Sequence, residues 1–312
     1  MNDIFDLTTR PDPDLFTKNF DTSETFLADV VLTGKDDYET SDIVILGFQN
    51  DEKDKSNFDA NAVRQEFYNL TNFAINRKIF DLGNLRLQEN SVEKIEDFSQ
   101  VIEKVLRNGK RLIVIGSKGD ISFPCGNVMA NVFGQDRWLA INVDSHLDVC
   151  LTNRERNEPS FRRLLEEKII VPRYFYEIGF QPYFCSAALY RYLQNQGVKM
   201  VSLEQLRSRE TADLELRELI RQEFIQHSRS MSILFNFSLN SVRASDAPGV
   251  TSSSPLGLRA GEFLTLVQYA AKLVNTKIIQ FTELDSSSDI ENRTAKLIAI
   301  AMHRFCSTIA ES

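Results

Sequence analysis

Two aspartates and a histidine, set two residues apart in Asp144-Ser145-His146-Leu147-Asp148, are the residues of this chain best placed to do chemistry. In extended chain that spacing sends all three side chains to one side, where two carboxylates and an imidazole can converge on a divalent cation. The sequence holds 3 histidines in 312 residues, so one placed between two aspartates is unlike random filler. The apolar run Trp138-Leu139-Ala140-Ile141-Asn142-Val143 directly before the cluster predicts a strand that delivers it at its carboxyl end.

The elements that must position the cluster follow from the alternation of apolar patterns. Short β-branched runs predict strands at 43–48, 111–115, 138–143, 174–179, 198–203, 231–237 and 277–281. Helical periodicity between them predicts helices at 61–71, 91–107, 185–194, 211–227, 261–274 and 292–310. Most of the strand runs are apolar almost throughout, as expected where helices cover both faces of a parallel sheet. The expected fold class is α/β, a three-layer α/β/α arrangement with a mainly parallel, doubly wound sheet. No repeat or Pro/Gly-rich linker divides residues 1–312, so one domain is expected, with residues 1–40 wrapping its surface. In such sheets ligands sit beyond the carboxyl ends of the strands. That rule gathers Gly116 to Asp120, Asp144 to Asp148, Gly179 to Tyr183, Ser238 to Asn240 and Thr282 to Asp285 into one cleft.

Composition narrows the class of function. A net charge of −8 and a pI near 5.1 argue against a general nucleic-acid-binding surface. No apolar stretch is long enough to span a bilayer, and the acidic start Met1-Asn2-Asp3-Ile4-Phe5-Asp6 is unlike a secretory signal. Cys125, Cys150, Cys185 and Cys306 are scattered without a CxxC pair, which suits free thiols in a reducing compartment. A cytoplasmic location is the expectation, with no nucleic-acid or membrane partner.

Several segments together resemble one family. Ile45-Leu46-Gly47-Phe48 with Asp51-Glu52 is similar to the opening strand and loop of the ureohydrolases (arginases, agmatinases and formimidoylglutamases), and Phe80-Asp81-Leu82-Gly83-Asn84 to their "D-x-G" segment. Asp144 to Asp148 resembles the "D-A-H-x-D" metal motif with Ser for Ala. Gly179-Phe180-Gln181-Pro182-Tyr183 resembles a "G-I-Q-P-Y" stretch particular to the formimidoylglutamase branch. Ala247-Pro248-Gly249-Val250 with Pro255-Leu256-Gly257-Leu258, then Glu283 with Asp289 and Arg293 to Leu297, are similar to the closing segments. Each match is weak alone; six in the correct order are specific. The resemblance implies a binuclear manganese centre whose shared hydroxide attacks a guanidinium or formimino carbon, with a later glutamate binding the amidine cation. It also implies a trimer or hexamer.

Set against that pattern, the ligand set is incomplete. The resemblance places a histidine ligand at Gly119 and a carboxylate pair at Ser238 and Asn240. Those positions therefore read as lost, while Asp144, His146 and Asp148 remain as a partial metal site and Glu283 as the amidine-binding acid. Two Mn²⁺ ions ~3.5–4 Å apart bring four positive charges, and Asp144 and Asp148 alone compensate them poorly. A binuclear manganese cluster is not expected; the cofactor is none, or one weakly bound divalent metal, Mn if any. Asp120 is the candidate substitute ligand, with Asp246 a second neighbour, and the Lys118 ammonium is a candidate countercharge and ligand contact.

The alternatives are structural. Asp144, His146 and Asp148 also read as strand-end residues held by internal hydrogen bonds, Glu283 as a strand-end acid facing water, and Lys118 as a solvated loop lysine. Cys150 stands where related sequences often carry Arg, and Arg162 after Phe161 reads as a surface charge on a helix. Cys125 and Cys185 lack a neighbouring His, Thr251 to Ser254 form no nucleophile elbow, and His227 and His303 have no ligand spacing. The reading is a ureohydrolase-like protein that has lost half of its metal ligands, keeps Asp144, His146 and Glu283 as weak or relic catalytic groups, and retains a cleft for a small amidine, guanidino or amino-acid ligand. The alternatives are an active amidine hydrolase with a mononuclear or rearranged site, and a structural or interaction protein.

Overall fold

Runs of β-branched and aromatic residues that are apolar on both faces become the strands of one sheet. The computed structural model describes residues 3–16, 24–48, 59–86, 91–116, 121–149, 160–207 and 230–309. Its strands are β1 (Thr8–Thr9), β2 (Ile43–Phe48), β3 (Ile79–Leu85), β4 (Arg111–Gly116), β5 (Trp138–Val143), β6 (Phe175–Phe180), β7 (Lys199–Ser202), β8 (Ser232–Ser238) and β9 (Thr276–Thr282). They lie in the order β1-β3-β2-β4-β9-β8-β5-β6-β7. All neighbours are parallel except β1, which pairs antiparallel with β3 at the edge.

Helices cover both faces. On one side α2 (Asp59–Tyr68), α8 (Ala260–Lys272) and α9 (Arg293–Thr308) pack on Ile43, Ile45, Ile113, Ile141 and Ile279. On the other, α3 (Ser91–Arg107), α4 (Ser122–Phe133) and α5 (Ser160–Glu166) pack on Val44, Leu46, Leu112, Ala140 and Leu234. Successive strand residues alternate between these two cores, as a pleated sheet requires. Short α1 (Leu27–Val30) belongs to the N-terminal segment, and α6 (Ala187–Gln196) and α7 (Leu203–Arg207) flank β7. The described residues of the N-terminal segment, 3–16 and 24–40, do more than wrap the surface: Ile4, Leu7 and Leu27 are buried, and Thr8 and Thr9 extend the sheet. The helix expected at 211–227, with His227, lies outside the described residues.

Two elements depart from the sequence pattern for tertiary reasons. β3 reads Ile-Phe-Asp-Leu-Gly-Asn-Leu and is buried along its whole length, although Asp81, Gly83 and Asn84 weaken its strand signal. Arg64 of α2 makes it tenable: Nε and Nη2 bond the two Asp81 oxygens at 2.8 and 3.0 Å, Nη2 also bonds Gly83 O, and Nη1 bonds Asn84 Oδ1. Tyr68 OH donates to the same carboxylate at 2.5 Å. Helix α4 contains Pro124, Gly126 and two asparagines, poor helix formers. A Cβ at Gly126 would stand 2.7 Å from both Leu164 methyls and 3.0 Å from Trp138, so the glycine lets α4 approach α5 and the sheet.

Candidate functional site

Because β2 to β9 run parallel, their carboxyl ends open on one edge, where Asp144 follows β5, Ser238 closes β8 and Glu283 follows β9. Pairing of Val143 with Phe237, and of Ser238 with Thr282, sets Asp144, Ser238 and Thr282 side by side. Lys118, Gly119 and Asp120, expected after β4, lie outside the described residues, as does Cys150.

Past β5 the chain runs on beside β6. Asp144 N–H donates to Ile178 O at 3.1 Å and Gln181 N–H to Ser145 O at 2.9 Å. Gly179 permits this with a φ of 87°, at the point where the β6–β7 register shifts. Asp144 is buried, and its Oδ1 accepts from His146 N–H at 2.9 Å and from the Ser145 hydroxyl at 3.3 Å. An aspartate accepting from the amide two residues on forms a local turn. His146 Nδ1 lies 3.5 Å from the same oxygen and 2.9 Å from Ser145 Oγ, and its ring stacks on Phe184 with centroids 5.0 Å apart. Hydrogen bonding to Asp144 raises the His146 pKa, and the charges of Asp144 and Glu283 reinforce it against burial. Among the described residues, no three His, Cys, Asp or Glu side chains gather so as to hold a metal ion.

Beneath the cluster runs a row of polar side chains that sequence reading did not anticipate. Glu177 of β6, Asn142 of β5, Asn236 of β8 and Gln280 of β9 stand in register, all fully buried. Asn142 Nδ2 donates to Glu177 Oε2 at 2.9 Å, Asn236 Nδ2 to Asn142 Oδ1 at 2.7 Å, Thr282 Oγ1 to Asn236 Oδ1 at 3.1 Å and Ser122 Oγ to Gln280 Oε1 at 3.0 Å. Burial, and after it the charges of Asp148 and Asp144, push the Glu177 carboxyl well above the usual range. Burial likewise raises Asp148, with Asp144 and Glu283 adding repulsion and Asn142 opposing it. The floor is thus rich in acids that resist ionisation.

Past β9, Glu283 adopts φ of 69°, unusual for a residue with a side chain, and a Val250–Leu284 bridge and an Asp285 N–H bond to Gly249 O hold it there. The Thr251 hydroxyl donates to Glu283 Oε2. Asn240 Oδ1 accepts from Ser252 N–H at 2.9 Å and Nδ2 reaches Thr251 Oγ1 at 3.4 Å, so its amide braces the turn that carries Thr251. Ser238 Oγ is buried and has no hydrogen-bond partner among the described residues.

The remaining candidates are assigned by their contacts. Asp246 pairs with Arg243 at 3.0 Å and caps Ala260 N–H, away from the aspartate cluster. Arg162 is not a surface charge: it is largely buried, and its Nη1 donates to Val149 O at 3.0 Å, bracing the residue after Asp148. His303 bonds Thr71 O. Burial raises the Cys125 and Cys185 thiols, the latter to about 11. A cleft of about 710 Å³ lies beyond Phe184, lined by Phe180, Cys185, Tyr190, Arg191 and Glu204, and does not reach Asp144, Asp148 or Glu283. The row under the site had one signal in sequence, a lone polar residue inside each apolar strand, but only register shows that the four align.

Comparison with known proteins places this architecture. The chain is 24% identical over 247 residues to formimidoylglutamase of Staphylococcus carnosus (strain TM300), covering 78% of this chain and 77% of that protein. The structure superposes on formimidoylglutamase from Bacillus subtilis subsp. subtilis str. 168 with a TM-score of 0.84 at 20% identity, covering 94% of each chain. It superposes on Trypanosoma cruzi formiminoglutamase, solved with Mn²⁺, with a TM-score of 0.80 at 25% identity, covering 92% of this chain and 100% of that one. The arginase family profile matches residues 41–307, and the chain belongs to the arginase family.

Proposed function

We propose that this protein is an arginase-family member whose cleft binds a small amidine, guanidino or amino-acid ligand without carrying out two-metal hydrolysis. The observation that carries the reading is the use made of position 240. Where the family pattern calls for a metal-binding carboxylate, Asn240 offers a neutral amide whose oxygen is engaged by Ser252 N–H and whose nitrogen faces Thr251. Its partner position, Ser238, offers a neutral hydroxyl. Hard divalent cations select charged oxygen and imidazole donors, and neither residue offsets charge.

The residues present therefore do not fit a binuclear manganese centre. Asp144 and Asp148 are the carboxylates left to hold one, and one Asp144 oxygen already serves His146 and Ser145. No step of a reaction is routed through such a centre here. What the described residues supply instead is an acidic strand-end cluster, with the preset carboxylate of Glu283 after β9 and the Asp144 turn after β5. That arrangement suits recognition of a cation bearing N–H groups.

The test is manganese-dependent hydrolysis of formimidoylglutamate, arginine and agmatine by the purified full-length protein. The expected result is no turnover above that of manganese alone, and robust turnover of any of the three overturns the reading. Metal analysis after incubation with Mn²⁺, Ni²⁺ or Zn²⁺ is the companion measurement. Stoichiometric metal that disappears in Asp144→Ala would favour a mononuclear hydrolase.

A further inference from the structure

The carboxyl edge of the sheet gathers acids, and its amino edge gathers cations. Arg77 and Lys78 lead into β3, Arg111 opens β4, and Lys277 is the second residue of β9. Arg111 and Lys277 directly precede Leu112 and Ile278, which pair across the two strands. In a chain of net charge −8 this is a local excess of the opposite sign. Burial lowers the Lys277 pKa, and Arg111 lowers it further. Burial and then Arg77 lower that of Arg111, against the pull of Asp42.

Asp42 compensates these groups loosely. Its Oδ2 accepts from the backbone Lys78 N–H at 2.9 Å, and its Oδ1 lies 4.0 Å from Arg77 Nη1, beyond hydrogen-bond reach. Arg77 thus differs from Arg64, whose guanidinium grips both oxygens of Asp81.

A cavity of about 210 Å³ opens beside Arg77 and Lys78. Ile75 and Ile79, both buried, belong to its apolar lining, and Asn72, Asn76, Arg77 and Lys78 supply its polar groups. The backbone that shapes it is fixed from several directions. Asn72 N–H donates to Thr25 O at 2.8 Å, and His303 Nε2 meets Thr71 O at 3.0 Å. Lys78 O accepts from Asp42 N–H at 2.9 Å and from Ile43 N–H at 3.2 Å. The volume falls below the ~300–1,000 Å³ of sites for drug-sized molecules and suits a group of a few heavy atoms. Side-chain amides, an ammonium and a guanidinium fork on one cavity select oxygen-rich anions, and the fork matches a carboxylate or a phosphoryl group.

We propose that the cavity before β3 is a site for a small oxyanion, a phosphoryl or carboxylate group held by Arg77 and Lys78 with the amides of Asn72 and Asn76 beside them. It lies at the edge of the sheet opposite Asp144 and Glu283 and is independent of what those residues bind. The anion supplies the charge that Asp42 gives only in part.

NMR titration of the full-length protein at constant ionic strength tests the proposal, with inorganic phosphate read by its ³¹P line width and ¹³C-labelled acetate by its carbon signal. Saturable binding of at least one probe is expected, and the tighter probe identifies the group that the site takes. Arg77→Gln should weaken that binding about tenfold, the loss of a charge-assisted hydrogen bond. Lys78→Gln should weaken it about threefold, as for an exposed charge. Arg77→Lys keeps the charge without the fork and should recover part of the loss. Lys296→Gln removes an exposed cation at the start of α9 and should leave the affinity unchanged. Equal weakening in Lys296→Gln would mean attraction by overall charge and overturns the site. Absence of saturable binding of both probes overturns it, as does unchanged affinity in Arg77→Gln and Lys78→Gln. Arg77 is half-buried and Lys78 exposed, so the variants should keep the parent's melting temperature in the absence of the anion.

Discussion

The Arg64–Asp81 network and the Asp144–Asp148–Glu177 cluster, in which Asp148 is half-buried, are both acidic and built on the same sheet, yet they balance charge in opposite ways. Asp81 meets a guanidinium on both oxygens, a tyrosine hydroxyl, and Gly83 N–H at 2.8 Å. Arg64 in turn bonds Asn84 and Gly83 O, so no charge is left uncompensated. Glu177 and Asp148 instead hold raised pKa values through burial and mutual repulsion, with Asn142 as their main relief. Where a buried acid serves the fold, the chain supplies its cation. At the strand ends the described acids have His146 as their one basic neighbour, 3.5 Å from Asp144, and the rest of the balance falls to protons, the pattern of a candidate site rather than of a strut.

Breaking the satisfied network should have the largest effect. Arg64→Ala leaves Asp81 buried without its partner and is expected to destabilise the protein by ~3–5 kcal/mol in urea denaturation. A loss below about 1 kcal/mol would mean the network behaves as a surface pair, and the contrast would collapse.

The opposite sign is expected in the cleft. Glu177→Gln keeps an acceptor for Asn142 and removes a carboxyl that burial disfavours, so stability without added ligand should rise by about 1–2 kcal/mol at neutral pH. The pH dependence follows from the raised pKa. Below the ordinary carboxylate range both folded and unfolded states are protonated and Glu177 carries no penalty. As pH rises, the unfolded chain ionises first, so this contribution is lost progressively until the folded-state value is passed. Thermal melts of the parent protein should therefore show a decline through and above the ordinary carboxylate range that flattens in Glu177→Gln. Parallel curves would count against an uncompensated acid.

The smallest change sharpens the contrast. Asn240→Asp removes the amide donor facing Thr251 and is expected to cost about 1 kcal/mol. Combined with Ser238→Asp it places two carboxylates where the family resemblance would put them, and on the proposed reading Mn²⁺ should then raise the Tm of the double variant and leave the parent unchanged. A manganese-induced shift in the parent would argue for a metal site already present.

Much of this was legible in residue order. Seven of the parallel strands follow from apolar runs bounded by polar turns, and most predicted boundaries lie within a residue or two of those observed. β3 escaped because Asp81 and Asn84 look foreign to a strand until Arg64, from another element, is brought against them. Helix α4 escaped because Gly126 serves the packing of Leu164 and Trp138 rather than helix propensity. At the strand ends, Asp144, His146 and Asp148 could be named from their spacing, and Ser238, Asn240 and Glu283 only from the family resemblance. Glu177, Thr251 and the bracing role of Arg162 could not, since each acts through residues that are neighbours only in the fold.

Sequence alone determined the alternation that builds a parallel sheet, the edge where its loops collect, and the neutral residues standing at 238 and 240. Tertiary structure alone decided what those residues do. Register lined Glu177, Asn142, Asn236 and Gln280 into one buried row, a left-handed backbone aimed Glu283, and packing left Ser238 Oγ without a partner among the described residues. Periodicity is local and survives in a linear string. Charge balance and hydrogen-bond satisfaction depend on which groups meet across space, and only the folded chain determines that.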